Sequence, residues 1–278
     1  MSSLLAPMFI QGIGLLGPGL PSWPASQATL RGEQPHRFEL SVLPPPARLP
    51  PAERRRAGAV IRLAMAVADE AIAMANVDPQ TLATVFTSSG GEGANCHSLC
   101  ETLASPNPLV SPTRFTNSVH NAASGYWHIA VGSRHSSTSL CAHDGSFGAG
   151  LLEAATLMHS HAEPLMLVAY DLPYPEPLNS ARPLPDNLGL ALVLTPAPTN
   201  RSIAELRVEA LPSRLASPVD VCGDASLDAL RAGMPAGAGL PLLQALARGL
   251  QARPRELTID YLPQLKLALR LSAVEHAE

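Results

Sequence analysis

A strand, a tight turn and a helix follow one another in the stretch TSLCAHDGSFGAGLLEA, residues 138–154. Apolar residues before the turn favour a strand over residues 137–142, and small and apolar residues after it favour a helix over residues 147–159. A second apolar run, PLMLVA at residues 164–169, predicts the next strand. This strand–helix–strand unit is typical of a sheet covered by helices, so the chain is predicted to adopt a layered α/β fold.

The rest of the chain continues the alternation of strands and helices. Strands are predicted at residues 8–16, 81–88, 188–194, 202–211 and 256–271, and helices at residues 52–76, 94–103, 118–131 and 240–251. The proline-rich segments at residues 18–51 and 172–185 are predicted to be surface loops.

The composition restricts the partners that the chain can have. Only 15% of the residues are charged, whereas 46% are apolar; an average soluble protein has about 25% charged residues. A chain with so few charges is expected to bury part of its surface against a partner. The net charge of -4 gives no basic surface for a nucleic acid or an anionic membrane.

The N-terminal stretch MSSLLAPMFIQGIGLLGPG is apolar but has no basic region, and Pro7 and several glycines interrupt it. It is therefore interpreted as a strand and turn, not as a signal peptide, and no apolar run is long enough to span a membrane. Without an export signal, the four cysteines are expected to be reduced thiols, which predicts a cytoplasmic protein.

The order of these segments resembles the N-terminal half of the β-ketoacyl synthases. MFIQGIGLLGPG is similar to the opening strand of that family, TSSGGEG to its first glycine turn, and the run RFTNSVHNAASGYWHIAVGSRHSSTSLCAHDGSFGAGLLEA to its dimer-interface segment, nucleophile turn and buried helix. The resemblance implies a thiolase-like α/β/α fold within a single domain over residues 1–278. It is clear over residues 1–196, and residues 197–278 are expected to form a reduced C-terminal extension.

The nucleophile position departs from the family pattern. The catalytic cysteine of the family aligns with Asp144, nine residues before Glu153, and Cys141 lies three residues earlier. An aspartate at a helix N-terminus is a poor nucleophile toward a thioester and would form a high-energy mixed anhydride, so Asp144 is expected to cap and fill the site. After His161 the only histidine is His276, so the paired histidines of a complete ketosynthase have no counterpart.

Ketosynthases without the cysteine are chain-length factors, which pair with an active ketosynthase and help to wall its acyl tunnel. Short versions resemble subunits from aryl polyene and xanthomonadin-type pigment clusters. The resemblance therefore implies a heterodimer with an active β-ketoacyl synthase, an acyl carrier protein that delivers the substrate, and no cofactor.

Two segments contain the candidate tunnel and interface residues. The first segment is an apolar stripe along one helix, and by position it resembles the segment that shapes the tunnel in the family. The alternative is that this stripe is ordinary core. The second segment is the small-residue helix, which in the family lies at the dimer interface. The candidates are Cys96, Leu99, Cys100 and Leu103 in the first segment, and Ser118, His120, Asn121 and Trp127 in the second. Trp127 is expected to be buried, and no metal site is expected, because Cys96, His97 and Cys100 have no second ligand pair.

Cys141 is the basis of an alternative prediction, in which the chain is itself an enzyme. It is a candidate nucleophile for a self-sufficient acyltransferase or thioesterase, with His143 or His120 as its base. The alternative is that Cys141 lies inside the apolar strand as an inert core residue.

Overall fold

An eight-stranded sheet organises the computed structural model, which describes residues 5–274; His276 lies outside them. The strand order is β3-β2-β4-β5-β1-β6-β8-β7. The strands are β1 (Met8–Leu16), β2 (Ala83–Thr87), β3 (Ser137–Leu140), β4 (Leu165–Asp171), β5 (Leu188–Thr195), β6 (Ala204–Pro212), β7 (Arg255–Leu262) and β8 (Leu265–Ser272).

Ten α-helices connect or cover these strands within the described residues. They are α1 (Trp23–Arg31), α2 (Pro51–Arg56), α3 (Ala59–Ala75), α4 (Gly93–Ala104), α5 (Pro112–Asn117), α6 (Ala122–Val131), α7 (Ser146–His161), α8 (Leu178–Ala181), α9 (Ala225–Gly233) and α10 (Leu240–Ala247). The elements predicted at both ends of the turn, β3 and α7, are present with small shifts in their bounds.

The sheet is parallel at one end only. β2 pairs in parallel with both β3 and β4, whereas all other neighbours pair antiparallel. The strands after residue 196 continue this sheet beyond β1, because β6 pairs with β1 and the β7–β8 hairpin follows. The predicted C-terminal extension thus lengthens the same sheet.

Two hydrophobic clusters lie on opposite faces of the sheet, which makes the fold a three-layer α/β/α arrangement. Helices α3 and α6 pack on one face, and α7, α9 and α10 pack on the other. Neighbouring residues of one strand alternate between the clusters: Leu165 and Leu167 face α7, and Met166 and Val168 face α3. The predicted fold class is confirmed.

Strand β1 contacts helix α3 more closely than a side chain would permit. All nine residues of β1 are buried. A Cβ atom on Gly12 would lie 2.1 Å from the carbonyl oxygen of Ala71, and one on Gly14 would lie 1.9 Å from that of Val67. The glycines therefore set the distance between the central strand and the helix that covers it.

Three sequence predictions are wrong in detail. The helix predicted over residues 52–76 is two helices, because the backbone is extended at Ala57 and Gly58, and glycine disfavours a helix interior by about 1 kcal/mol. The strand predicted over residues 256–271 is the β7–β8 hairpin, since Pro263 has no N–H to donate to a ladder. The predicted loop at residues 18–51 contains α1. Within residues 5–274, no helix combines the length and apolarity that crossing a membrane requires.

Candidate functional site at the carboxyl ends of the parallel strands

The carboxyl ends of β2, β3 and β4 meet at one edge of the sheet because the three strands are parallel. Ser89 and Cys141 lie just beyond the ends of their strands, and Asp171 is the last residue of β4. The amide of Ser89 donates to Oδ1 of Asp171 at 2.7 Å, and the amide of Ser88 donates to the carbonyl of Leu140 at 3.3 Å. Ligand sites of open α/β sheets are found at this edge.

The turn between β3 and α7 is tightly held. Oγ of Ser146 accepts from the amide of Ala142 at 3.1 Å and donates to the carbonyl of His143 at 2.7 Å. A Cβ atom on Gly145 would lie 2.1 Å from the carbonyl oxygen of Tyr261, so the turn lies directly against β7. His143 has a left-handed backbone with φ of 52°, which a residue other than glycine adopts at an energetic cost. The strained residue of the turn is thus His143 and not Asp144.

Asp144 points away from the helix. Its side chain is 73% exposed, and it forms an ion pair with Arg182 and lies 3.2 Å from Nδ1 of His143. Helix α7 begins at Ser146 after Gly145, with no side-chain hydrogen bond to its first amides. The expectation that Asp144 caps and fills the site is therefore wrong, because the intervening turn of 3-10 helix directs its carboxylate toward Arg182. An exposed ion pair of this kind contributes at most about 1 kcal/mol to stability.

Cys141 lies beyond the end of β3 and is exposed, so the interpretation of this residue as inert core inside a strand is wrong. Its Sγ lies 3.7 Å from Nδ1 of His120, while His143 faces Asp144 instead. Partial enclosure, together with the negative charge of Asp171, raises the pKa of the Cys141 thiol. The side chains of a thiol and a base are therefore close, but the surroundings favour the unreactive thiol over the thiolate.

Asp171 is the centre of a polar network that the sequence analysis did not identify. It is buried, and its second oxygen accepts from the amide of Ala236 at 2.8 Å. Burial raises the pKa of its carboxyl to about 6, although the hydrogen bonds from Ser89 and Ala236 and the charge of Arg182 oppose this shift. The Tyr174 hydroxyl lies 2.6 Å from both Oγ of Ser89 and Nη1 of Arg182, so the network extends outward to Asp144.

The raised pKa of Asp171 predicts how stability depends on pH. Because the folded state binds the proton more tightly than the unfolded chain, the free energy of unfolding should fall as pH rises from about 4 to 6, by up to about 3 kcal/mol. Urea unfolding at a series of pH values measures this slope. Asp171→Asn should flatten it while lowering stability overall, and Asp144→Asn, at an exposed carboxylate, is the control. An unchanged slope in Asp171→Asn would contradict the prediction.

The predicted tunnel and interface candidates are distributed over α4, α6 and the segment between them. Helix α4 has no buried residue; Cys96, Cys100 and Leu103 are exposed, and Leu99 is half-buried. The alternative of an ordinary core stripe is therefore wrong. Ser118 and His120 are half-buried and Asn121 is exposed, whereas Trp127 is 1% exposed and packs beneath α3. Trp127 is thus a core residue, as expected, and not a surface interface residue.

These elements and the loops between them carry several exposed apolar side chains. Of the 14 large hydrophobic side chains that are exposed in residues 5–274, six lie between residues 103 and 129. We call this set of side chains the apolar face; its members are Leu103, Leu109, Val110, Phe115, Val119 and Ile129. Strand β3 lies at the adjoining edge of the sheet and pairs only with β2, so its outer backbone groups have no strand partner within the described residues.

Residues 5–274 contain no cluster of three histidine, cysteine or acidic side chains arranged to hold a metal ion. On α4, where no metal site was expected, Nε2 of His97 lies 3.3 Å from the carboxylate of Glu101.

Five residues of this region were not among the candidates predicted from the sequence: Ser89, Glu92, Asp171, Tyr174 and Arg182. One signal for them was present, because Ser89 and Asp171 closely follow two predicted strands, and α/β proteins bind ligands at the carboxyl ends of parallel strands. No sequence pattern indicated that Arg182, in a proline-rich segment, would reach Asp144 and Tyr174.

The chain is similar to known ketosynthases in sequence profile and in structure. The family described as beta-ketoacyl synthase, N-terminal domain, matches residues 23–228. One chain of the ketosynthase ApeO in complex with its chain length factor ApeC, from Xenorhabdus doucetiae, is 21% identical with a TM-score of 0.68, covering 95% of this chain and 98% of that one. No curated protein sequence matches this chain.

Two further solved structures have the same fold. A chain of the ishigamide ketosynthase/chain length factor is 15% identical, with a TM-score of 0.71 over 97% of this chain and all of that one. The third structure is the AntDE:AntF assembly, described as a type II PKS acyl-carrier protein in complex with its ketosynthase bound to the hexaketide. One of its chains is 11% identical to this chain, with a TM-score of 0.74, and the match covers 97% of this chain and 100% of that one. At these identities the likeness shows the fold.

Proposed function

Because this chain belongs to the β-ketoacyl synthase family, we propose that it is a chain-length-factor-type subunit that pairs with an active ketosynthase. In this role it stabilises the pair and closes the acyl tunnel during polyene or fatty-acyl elongation. The partner supplies the catalytic cysteine and the decarboxylating residues, and an acyl carrier protein delivers the substrate.

The observation that carries this proposal is the apolar face beside the free edge of β3. Soluble monomers rarely expose several large apolar side chains in neighbouring elements, and they usually protect the edges of their sheets. Here six large apolar side chains and an unpaired strand lie in neighbouring elements between residues 103 and 140. A second subunit that covers this region would remove both from water, and stable interfaces of this kind bury about 1,600 Å² in total.

The nucleophile region supports a subunit without its own acyl-transfer chemistry. We infer that Asp144 takes the position of the family cysteine; its exposed carboxylate is bound to Arg182 and would be a poor nucleophile toward a thioester. Cys141 is held as a thiol by its raised pKa. The complexes of ketosynthases with chain length factors among the structural neighbours support the same role.

The tunnel role is assigned to α4. Its apolar and thiol side chains, Leu99, Cys100 and Leu103, lie on a helix without buried residues, and Leu103 is also a member of the apolar face. In the assembled pair this surface would wall the acyl tunnel. Leu99→Trp should therefore shorten the products of the pair without separating it, as measured by mass spectrometry of the released chains; unchanged product length would leave the chain with a scaffold role only.

The experiment that tests the proposed function is an affinity purification of the tagged chain from its native cells, followed by protein identification and measurement of the mass of the complex. We expect one ketosynthase with an intact cysteine per copy of this chain. A stable monomer, or a homo-oligomer without a ketosynthase, would overturn the proposal.

A second candidate function is acyl transfer by Cys141, which the 3.7 Å separation from His120 favours. The raised pKa of the thiol opposes it, so we expect no acyl adduct after incubation with acyl thioesters at neutral pH. Intact-mass measurement tests this expectation. An adduct that disappears in Cys141→Ala, but persists in the control Cys96→Ala at another exposed cysteine, would favour the second function.

A further inference from the structure

A cavity of about 360 Å³ lies between the start of α3, the β2–α4 loop and the segment that follows β4. Its volume is at the lower end of the range for small-molecule sites, about 300 to 1,000 Å³. Apolar side chains form part of its wall, and two acidic residues, Glu92 and Asp171, form another part. The apolar members are Val60, Leu172, Pro173 and Tyr174.

Glu92 is the unusual residue of this cavity. It is 5% exposed, and its Oε2 has no hydrogen-bond partner among residues 5–274. A buried carboxylate oxygen without a donor is costly, and burial raises the pKa of this carboxyl, although hydrogen bonds from the backbone and side chain of Asn95 oppose the shift. Asp171, in contrast, has both oxygens bonded to backbone amides, so of the two acidic residues Glu92 offers the carboxylate oxygen without a donor among residues 5–274.

Backbone donors face the same space. Gly58 precedes α3, a helix of 17 residues without a side-chain cap, and Ala59 and Val60 line the cavity. The first amides of a helix have no acceptor within the helix. A Cβ atom on Gly58 would lie 3.7 Å from Oε2 of Glu92, so the carboxyl lies beside these amides without bonding to them.

We propose that this cavity binds a small neutral ligand through a hydroxyl group, which donates to Glu92 and accepts from a first-turn amide of α3. A carboxylate would be repelled by ionised Glu92, and an ammonium group could not accept from the amides. A hydroxyl group can donate to the Glu92 carboxyl and accept from an α3 amide at the same time, whether Glu92 is ionised or protonated.

The walls determine the shape of the ligand. The ring of Tyr174 lies against Gly90, where an added Cβ would approach ring carbon Cε1 to 2.4 Å, and its hydroxyl bonds to Ser89. This ring, together with Leu172 and Pro173, offers an apolar surface to the body of the ligand. An alcohol or phenol with a compact apolar body therefore fits. This inference goes beyond the proposed function, because it requires neither the partner nor an acyl chain.

The test compares benzyl alcohol with toluene, which differ only in the hydroxyl group, as probes of the full chain by NMR titration. We expect benzyl alcohol to bind at least tenfold more tightly and to shift the amide signals of Ala59 and Val60. In Glu92→Leu the preference should disappear, whereas it should remain in Glu101→Leu, which changes an exposed acid on α4, the helix that follows Glu92.

Three results would overturn the inference: equal affinity for the two probes, a preference that survives Glu92→Leu, or no binding of benzyl alcohol at millimolar concentration. If Glu92→Leu does not fold, the amide shifts in the unmodified chain decide, since their absence during benzyl alcohol titration contradicts the site. Failure here leaves the affinity purification unaffected, so the two proposals are tested separately.

Discussion

Phe115→Asp is expected to weaken pairing with the active ketosynthase at least a hundredfold while leaving the melting temperature of the isolated chain unchanged. The Phe115 side chain is a member of the apolar face and is 64% exposed on α5. Burying a phenylalanine contributes about 1.5 to 3 kcal/mol, and an unpaired carboxylate in its place adds a desolvation cost of several kcal/mol. Because the side chain is exposed in the single chain, its own fold loses little.

The measurement is the dissociation constant of the purified pair, with circular dichroism to check the fold. Leu215→Asp is the matched control, since Leu215 is 66% exposed but lies far along the chain from the apolar face. We expect this control to pair as tightly as the unmodified chain. Equal affinities for Phe115→Asp and Leu215→Asp would place the partner on a different surface.

Gly14→Ala is expected to lower the free energy of unfolding by about 3 to 5 kcal/mol, in the range of severe core substitutions. The added Cβ would lie 1.9 Å from the Val67 carbonyl oxygen and 2.7 Å from its carbon. Both are backbone atoms, so no side chain can turn aside, and α3 must move away from β1. That movement would open the core between α3 and the central strands.

Urea unfolding of the isolated chain measures this loss. Gly233→Ala is the control, because an added Cβ there meets nothing within 4 Å, and its effect should remain below about 1 kcal/mol. An equally small effect of Gly14→Ala would show that α3 can move away from the sheet without loss of packing.

The sequence pattern located the turn residues in the fold but did not specify their contacts. The strand–turn–helix pattern placed Cys141 and Asp144 at one end of the sheet, because short-range periodicity and turn chemistry act over neighbouring residues. Asp144 bonds to Arg182, which lies 38 residues away and was not foreseen, and Cys141 faces His120, one of the two bases considered for it, which lies 21 residues away. Contacts across such separations depend on how the elements pack.

The burial of side chains could be predicted from the sequence for Trp127 but not for the apolar stripe of α4. Trp127 was expected to be buried, and it is 1% exposed. The helix stripe of Leu99, Cys100 and Leu103 has the spacing of a core stripe, yet α4 buries no residue in this chain. Periodicity shows that a face is apolar, but it does not show whether the same chain or another one covers it.

The sequence by itself determined the α/β class, the alternation of elements and the resemblance to the β-ketoacyl synthases, because these properties reside in local patterns of apolar, small and turn-forming residues. Only the tertiary structure decided that residues after 196 extend the same sheet, that Asp171 and Glu92 are buried, and that the apolar face is left exposed. Burial and pairing across the sheet depend on contacts between residues distant in the chain, and no local pattern specifies them.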